Sequence, residues 1–187
     1  KKEASTQRSL KYVDERLLSM PSVALMQAKK EIDYMLSLVE ENVRLSFTSL
    51  TGDPAENAAR IAENEETIDF TNGALTKFLI RLSVNVEESD EKVIGSYFHV
   101  LNDLERIGDH AENFYDISAE LKSKGLEFSE KATRDIKEMS TKVSQMLELS
   151  KKAFTSKDKE SLTRITALEN EIDAMKTEFI ASHFSRL

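Results

Sequence analysis

The chain has 187 residues, 40% hydrophobic and 32% charged, with only five Gly and two Pro and no Cys. Its formal net charge of −8 argues against broad nucleic-acid or anionic-membrane binding, which needs a basic surface. Lack of Cys excludes disulfides, a thiolate zinc site and a Cys nucleophile. The profile predicts an all-α protein of long helices and few turns, in one large or two small domains. No apolar run approaches the roughly 20 residues that span a bilayer, and no signal peptide is visible.

Lys1–Ser9 is polar and reads as a disordered or linker tail, with residues 1–21 as an N-terminal linker segment. Helix 1 is predicted to start after Pro21 with Ser22 as N-cap. It carries Val23, Ala28, Ile32, Met35, Leu36, Val39, Val43 and Leu50 near a helical period and stops at Thr51-Gly52. Asp53-Pro54 reads as N-cap and first position of helix 2, which places Ile61, Ile68, Leu75, Leu79 and Leu82 on one face. Val84–Asp90 breaks the pattern, and Ser89 is the expected cap of helix 3, running to about Leu121. The seam of helix 3 is Tyr97, Leu101, Leu104, Gly108, Ala111 and Tyr115, alternating by four and three as packed helices require. Gly108 costs about 1 kcal/mol relative to Ala inside a helix, which makes sense if another backbone or a bound species comes close there. Lys122–Gly125 is the expected internal boundary. Ser129 then starts helix 4, with Ile136, Met139, Val143, Met146, Leu147 and Phe154 inward. Lys157-Asp158 marks the last turn, and helix 5 carries Leu162, Ile165, Ile172, Met175, Phe179 and Phe184.

Displacing the sequence by 104 residues lays Ile32, Met35, Val39 and Val43 on Ile136, Met139, Val143 and Leu147, and Leu50 on Phe154. At the same displacement Glu65, Ile68 and Asp69 fall on Glu169, Ile172 and Asp173; Arg81-Leu82 recurs as Arg186-Leu187, one residue out of step. Such a repeat implies tandem three-helix bundles, 22–125 and 126–187, the second truncated to two helices, with the counterpart of helix 3 expected downstream. A two-helix remainder leaves an apolar face to be covered by the first bundle or another chain.

Acidic rows border these seams. Glu105, Asp109, Glu112 and Asp116 lie within a wedge of about 60° on helix 3; Asn102 sits at its edge. Helix 2 has Glu65, Asp69 and Asn72; helix 5 has Glu169 and Asp173. Acids four apart usually form a solvated face. That arrangement gains from alternating signs, however, since like charges at this spacing cost a few tenths of a kcal/mol, and these rows lack such relief along their own helices. Packing helices 2 and 3 together is expected to bring Glu65, Asp69, Glu105 and Asp109 around one groove, where carboxylates must be protonated, paired with Lys/Arg or bridged by cations. Oxygen-only ligands suit hard cations such as Mg²⁺, Ca²⁺, Mn²⁺ or ferric iron. No Glu-x-x-His of the di-metal bundles is present; His99, His110 and His183 are scattered and read as surface residues. There is no Gly-rich phosphate loop and no Gly-x-Ser-x-Gly. A carboxylate pair can serve as general acid and base, but nothing else supplies a substrate pocket, so no enzyme activity is expected. The competing reading is a metal-free helical interaction module whose acidic groove receives a basic partner segment.

Leu104-Glu105-Arg106-Ile107-Gly108-Asp109-His110-Ala111-Glu112-Asn113 resembles the signature of the PhoU family of phosphate-uptake regulators, and Glu65-x-x-Ile-Asp69 and Glu169-x-x-Ile-Asp173 resemble its second-helix motif. Asp14–Leu25 further resembles the linker into the PhoU-like domain of bacterial sodium/phosphate cotransporter proteins. The resemblance, over roughly residues 22–187, implies tandem three-helix units in a cytoplasmic, non-enzymatic regulatory domain at the inner face of the membrane. It implies metal ions on the concave face, iron in particular, with Mg, Mn, Zn and Ca as alternatives. By position it nominates Glu65, Asp69, Glu105 and Asp109, then Glu169 and Asp173, with Glu112 and Asn113 as outer members. The implied partner is the transmembrane phosphate transporter domain of the same protein or complex, with upstream membrane helices, and a homodimer is a further expectation. Nucleic acid and direct membrane insertion by this segment are not expected. The Glu169/Asp173 half-site lacks the acids of a further helix.

Overall fold

In the computed structural model, which describes residues 8–84, 86–156 and 159–184, five long helices follow one another: α1 (Pro21–Thr51), α2 (Ala58–Ser83), α3 (Glu88–Ser123), α4 (Glu130–Ser156) and α5 (Lys159–Phe184). No strand occurs among the described residues, as an all-α chain requires. The residues form two compact units, Lys1–Asn42 with Ala58–Asn113, and Val43–Asn57 with Phe114–Leu187.

Helix ends follow from local chemistry, with three departures from expectation. Pro21 itself is the first residue of α1; its ring presets a helical φ and its missing N–H is one the first turn leaves unpaired anyway, so Ser22 is not needed as cap. Asp53 does cap Pro54, accepting from the Ala55 N–H at 3.1 Å, but it caps a short 3₁₀ turn, Pro54–Glu56, and α2 starts only at Ala58. Helix α3 begins at Glu88, its first turn closing onto the Glu87 carbonyl, so Ser89 lies inside the helix. At its far end Gly125 takes φ +66°. Leu126 N–H reaches back to the Leu121 carbonyl and Gly125 N–H to that of Lys122, at 3.0 and 3.1 Å. This left-handed cap satisfies the last carbonyls and needs a residue without Cβ. Ser129 caps α4 through Ala132 N–H. The Lys157-Asp158 turn, the Arg186-Leu187 pair and the side chains of His183 and Phe184 lie outside the described residues.

In the first unit the apolar stripes of α1, α2 and α3 form the core. Ala24, Ala28, Ile32, Met35 and Val39 of α1 are wholly buried, as are Ile68, Leu75 and Leu79 of α2 and Leu101 of α3. Each fully buried Ile, Leu or Met contributes about 1.5–3 kcal/mol. The α3 seam is buried from Tyr97 through Ala111, with Tyr115 half-buried. Residues 8–20 are not a free tail. Glu31, 1% exposed on α1, accepts the backbone N–H groups of Lys11 and Tyr12 at 3.1 and 2.6 Å. Val13 is buried, Arg8 pairs with Glu66 and Arg81 with Glu15, and a 3₁₀ turn at Glu15–Ser19 lies on α2.

In the second unit Val43 and Phe47 of α1 are buried, and the Phe47 and Phe114 rings meet at 5.7 Å. Helix α4 packs on α5, and Lys142 pairs with Glu171 at 2.5 Å. Two helices cover each other incompletely: only Leu147 of α4 is buried, while Ile136, Met139, Val143, Met146, Ile165, Ile172, Met175 and Phe179 are half-buried. Leu162, expected inward, is 56% exposed for the same reason.

Candidate metal centre

The acidic rows of α2 and α3 meet in the first unit. Gly108 makes this possible: with no side chain there, the Glu65 carboxylate lies against α3, and a Cβ at Gly108 would sit 3.3 Å from its Oε1, with Ile68 Cγ2 at 3.6 Å. Glu65 is 7% exposed. Its Oε2 accepts from Asn42 Nδ2 at 3.3 Å; its Oε1 is buried without a hydrogen-bond partner. Burial and then the neighbouring Asp69 and Glu112 charges push its pKa up to about 7, Asp109 adding to them and the Asn42 hydrogen bond opposing. Asp69 is raised too, by desolvation and then by Asp109. The electrostatic coupling therefore joins Glu65, Asp69, Asp109 and Glu112. Asn72, one turn along α2, has a second buried and unpartnered oxygen, Oδ1.

The other nominated residues are more exposed than Glu65. Glu105 is half-buried on α3, and Asn113 is exposed. Glu169 and Asp173 are exposed on α5 in the second unit. His99 and His110 are exposed, as expected of surface histidines. Among the described residues no three carboxylate or imidazole groups converge closely enough to enclose an ion as they stand. What fits a hard cation is the donor chemistry: an orphaned, buried carboxylate oxygen among acids that repel one another.

Sequence reasoning overlooked α1. Asn42, wholly buried, donates to the Ile61 carbonyl and to Glu65, and its Oδ1 accepts from Asn64 at 2.9 Å. Asn64 also donates to Glu41, which Arg60 clamps through two bonds of 3.0 and 2.9 Å. The readable signal was a polar residue in phase with Met35 and Val39 on the apolar stripe of α1.

The class so defined is an all-α bundle protein with an acidic, partly buried carboxylate groove between two helices. Residues 32–117 and 136–187 match the PhoU domain model, well over half of the chain, and the chain belongs to the PhoU domain family. It is similar to a phosphate-specific transport system accessory protein PhoU homolog of Aquifex aeolicus, 29% identical over 91 residues, covering 48% of this chain and 41% of that protein. A protein of the same description from Synechocystis sp. is 30% identical over 101 residues, 52% of this chain and 45% of the relative. The matches span less than half the length of these curated relatives. No solved structure matches the chain. No helix among the described residues is long and apolar enough to cross a membrane.

Proposed function

We propose that this chain is a non-enzymatic regulatory domain in phosphate uptake, and that its α2–α3 groove binds hard metal ions. The observation that carries the metal assignment is Glu65 Oε1, buried, unpartnered and surrounded by the charges of Asp69, Asp109 and Glu112. A bound cation supplies the positive charge that offsets this repulsion. Glu65 is the preset ligand. Asp69, Asp109 and Glu112, exposed at the groove, turn their oxygens toward it on binding, with Glu105 and Asn113 as outer donors. Iron suits these hard oxygen donors, as do Mg, Mn and Ca; Zn is a weaker candidate. Glu169 and Asp173 form a second, incomplete half-site on α5.

The relatives' description as accessory proteins of phosphate transport supports the regulatory role. The Asp14–Leu25 resemblance supports a cotransporter setting, in which the partner is a transmembrane transporter domain and this domain sits on the cytoplasmic face. The two family matches, starting at residues 32 and 136, support repeats within 22–125 and 126–187.

Metal content of chelator-free protein and thermal melts with and without added cation test this reading. Cation binding to the native state at a hundredfold excess over Kd stabilises by about 2.7 kcal/mol. The Glu65→Gln, Asp109→Asn double variant is expected to lose that increment, and an unchanged increment removes the site. The second reading, an acidic groove for a basic partner segment, is favoured by the absence of three converging ligands among the described residues. It expects no bound metal and partner binding that weakens steeply with salt.

A further inference from the structure

We infer that Asn42 is a positioning residue for the Glu65 carboxylate, an inference that rests on the cation reading above. Asn42 belongs to α1, which carries none of the acidic rows, and it is wholly buried. Its Nδ2 lies 3.3 Å from Glu65 Oε2 and 3.3 Å from the carbonyl of Ile61, and a carbonyl only accepts. Its Oδ1 receives the Asn64 amide at 2.9 Å. Turning the Asn42 amide over would set its oxygen against the Ile61 carbonyl and its NH₂ against the Asn64 donor, so the network admits one orientation. Asn64, 2% exposed, is held in turn by Glu41, and Glu41 by the two bonds from Arg60. A chain of fixed bonds thus runs from the Arg60 guanidinium at the surface to Oε2 of Glu65.

The consequence is directional. Glu65 is tethered through Oε2 on the α1 side, while Oε1, buried against Gly108 of α3, is the oxygen left without a hydrogen-bond donor. The donor is neutral. An Arg or Lys in its place would pair with the carboxylate and compete with a cation; an amide fixes the rotamer and leaves the negative charge intact. An apolar residue would continue the Met35–Val39 stripe without burying a polar group, but it would leave both oxygens of Glu65 without a partner. Supporting hydrogen bonds of this kind are worth 10–100-fold in metal affinity in metalloproteins.

The test is a double-mutant cycle read by Mn²⁺ titration of the chelator-treated full chain, with wild type, Asn42→Leu, Glu65→Gln and the double variant. Asn42→Leu is expected to weaken Mn²⁺ binding about 10–100-fold, and to change affinity by less than about twofold once Glu65 is already Gln. Equal Mn²⁺ affinity in wild type and Asn42→Leu overturns the inference while leaving the cation reading in place. An equal loss in both Glu65 backgrounds also overturns it, because that marks a general packing effect. Absence of Mn²⁺ binding by the wild type removes the cation reading and this inference with it. If Asn42→Leu does not fold, Asn42→Ala, which only truncates the side chain, carries the same comparison.

Discussion

Gly108 of α3 faces Glu65 of α2 so closely that an added Cβ would sit 3.3 Å from Oε1 and 3.4 Å from Oε2. Two effects of replacing it by Ala oppose each other. Ala gains about 1 kcal/mol of helix propensity over Gly, while the carboxylate must give way by a few tenths of an ångström against its Asn42 tether. The expected result is a melting temperature near wild type without cation, together with a smaller cation-induced increment. Gly108→Leu has no such compensation and should lower stability by about 2 kcal/mol or more, through overpacking. Thermal melts with and without cation separate the two effects.

Glu65 also sets a pH dependence. Its folded pKa is about 7 against an ordinary 4.5. Below 4.5 it is protonated whether folded or unfolded. Between 4.5 and about 7 the folded chain holds a proton that the unfolded chain has released, so stability falls as pH rises through that window and levels off above it. At about 1.4 kcal/mol per pKa unit the loss amounts to a few kcal/mol. In chelator, Glu65→Gln should therefore show a higher urea midpoint than wild type at pH 8, the gap closing toward pH 4.5. A gap that is constant with pH would contradict the assignment of Glu65 as the buried group.

Glu31 fastens the segment before α1. A wholly buried carboxylate receiving two backbone N–H bonds is a charge-assisted pair of the stronger kind. Glu31→Ala should cost about 2–3 kcal/mol and, more specifically, speed hydrogen exchange at Lys11 and Tyr12 while leaving core amides of α2 such as Leu75 protected. Unchanged exchange at Lys11 and Tyr12 would show that other contacts hold the arm.

Gly125 closes α3 in the left-handed region at φ +66°. No heavy atom lies within 4 Å of a Cβ built there, so substitution meets a backbone penalty and no clash. Gly125→Ala should destabilise by about 1–2 kcal/mol, read as a shifted urea midpoint with an unchanged slope.

Much of this architecture is decided locally and is legible as such. Ile61, Ile68, Leu75, Leu79 and Leu82 recur at a helical period and are all buried, because amphipathic periodicity has one way to hide its apolar face. Gly108 announced a close approach, since a Gly in a helix interior is otherwise a cost. The cap at Ser129 was readable from residue type, as was capping by Asp53, though of a 3₁₀ turn; the displaced starts at Pro21, Ala58 and Glu88 were not, because several residues in each turn can end a helix and packing selects among them. Leu162 misled for a different reason: its position within α5 is apolar in phase, but α4 alone does not cover it.

The amino-acid sequence by itself determined the helices, their apolar faces and the rows of carboxylates, because each is a matter of spacing along one helix. Only the tertiary structure decided which acids meet. It set Asp69, Asp109 and Glu112 close enough to Glu65 to act on its charge, and brought Asn42 from α1 to hold one oxygen of Glu65. Burial, proximity and hydrogen-bond partnership belong to pairs of helices, and no periodicity within a single helix contains them.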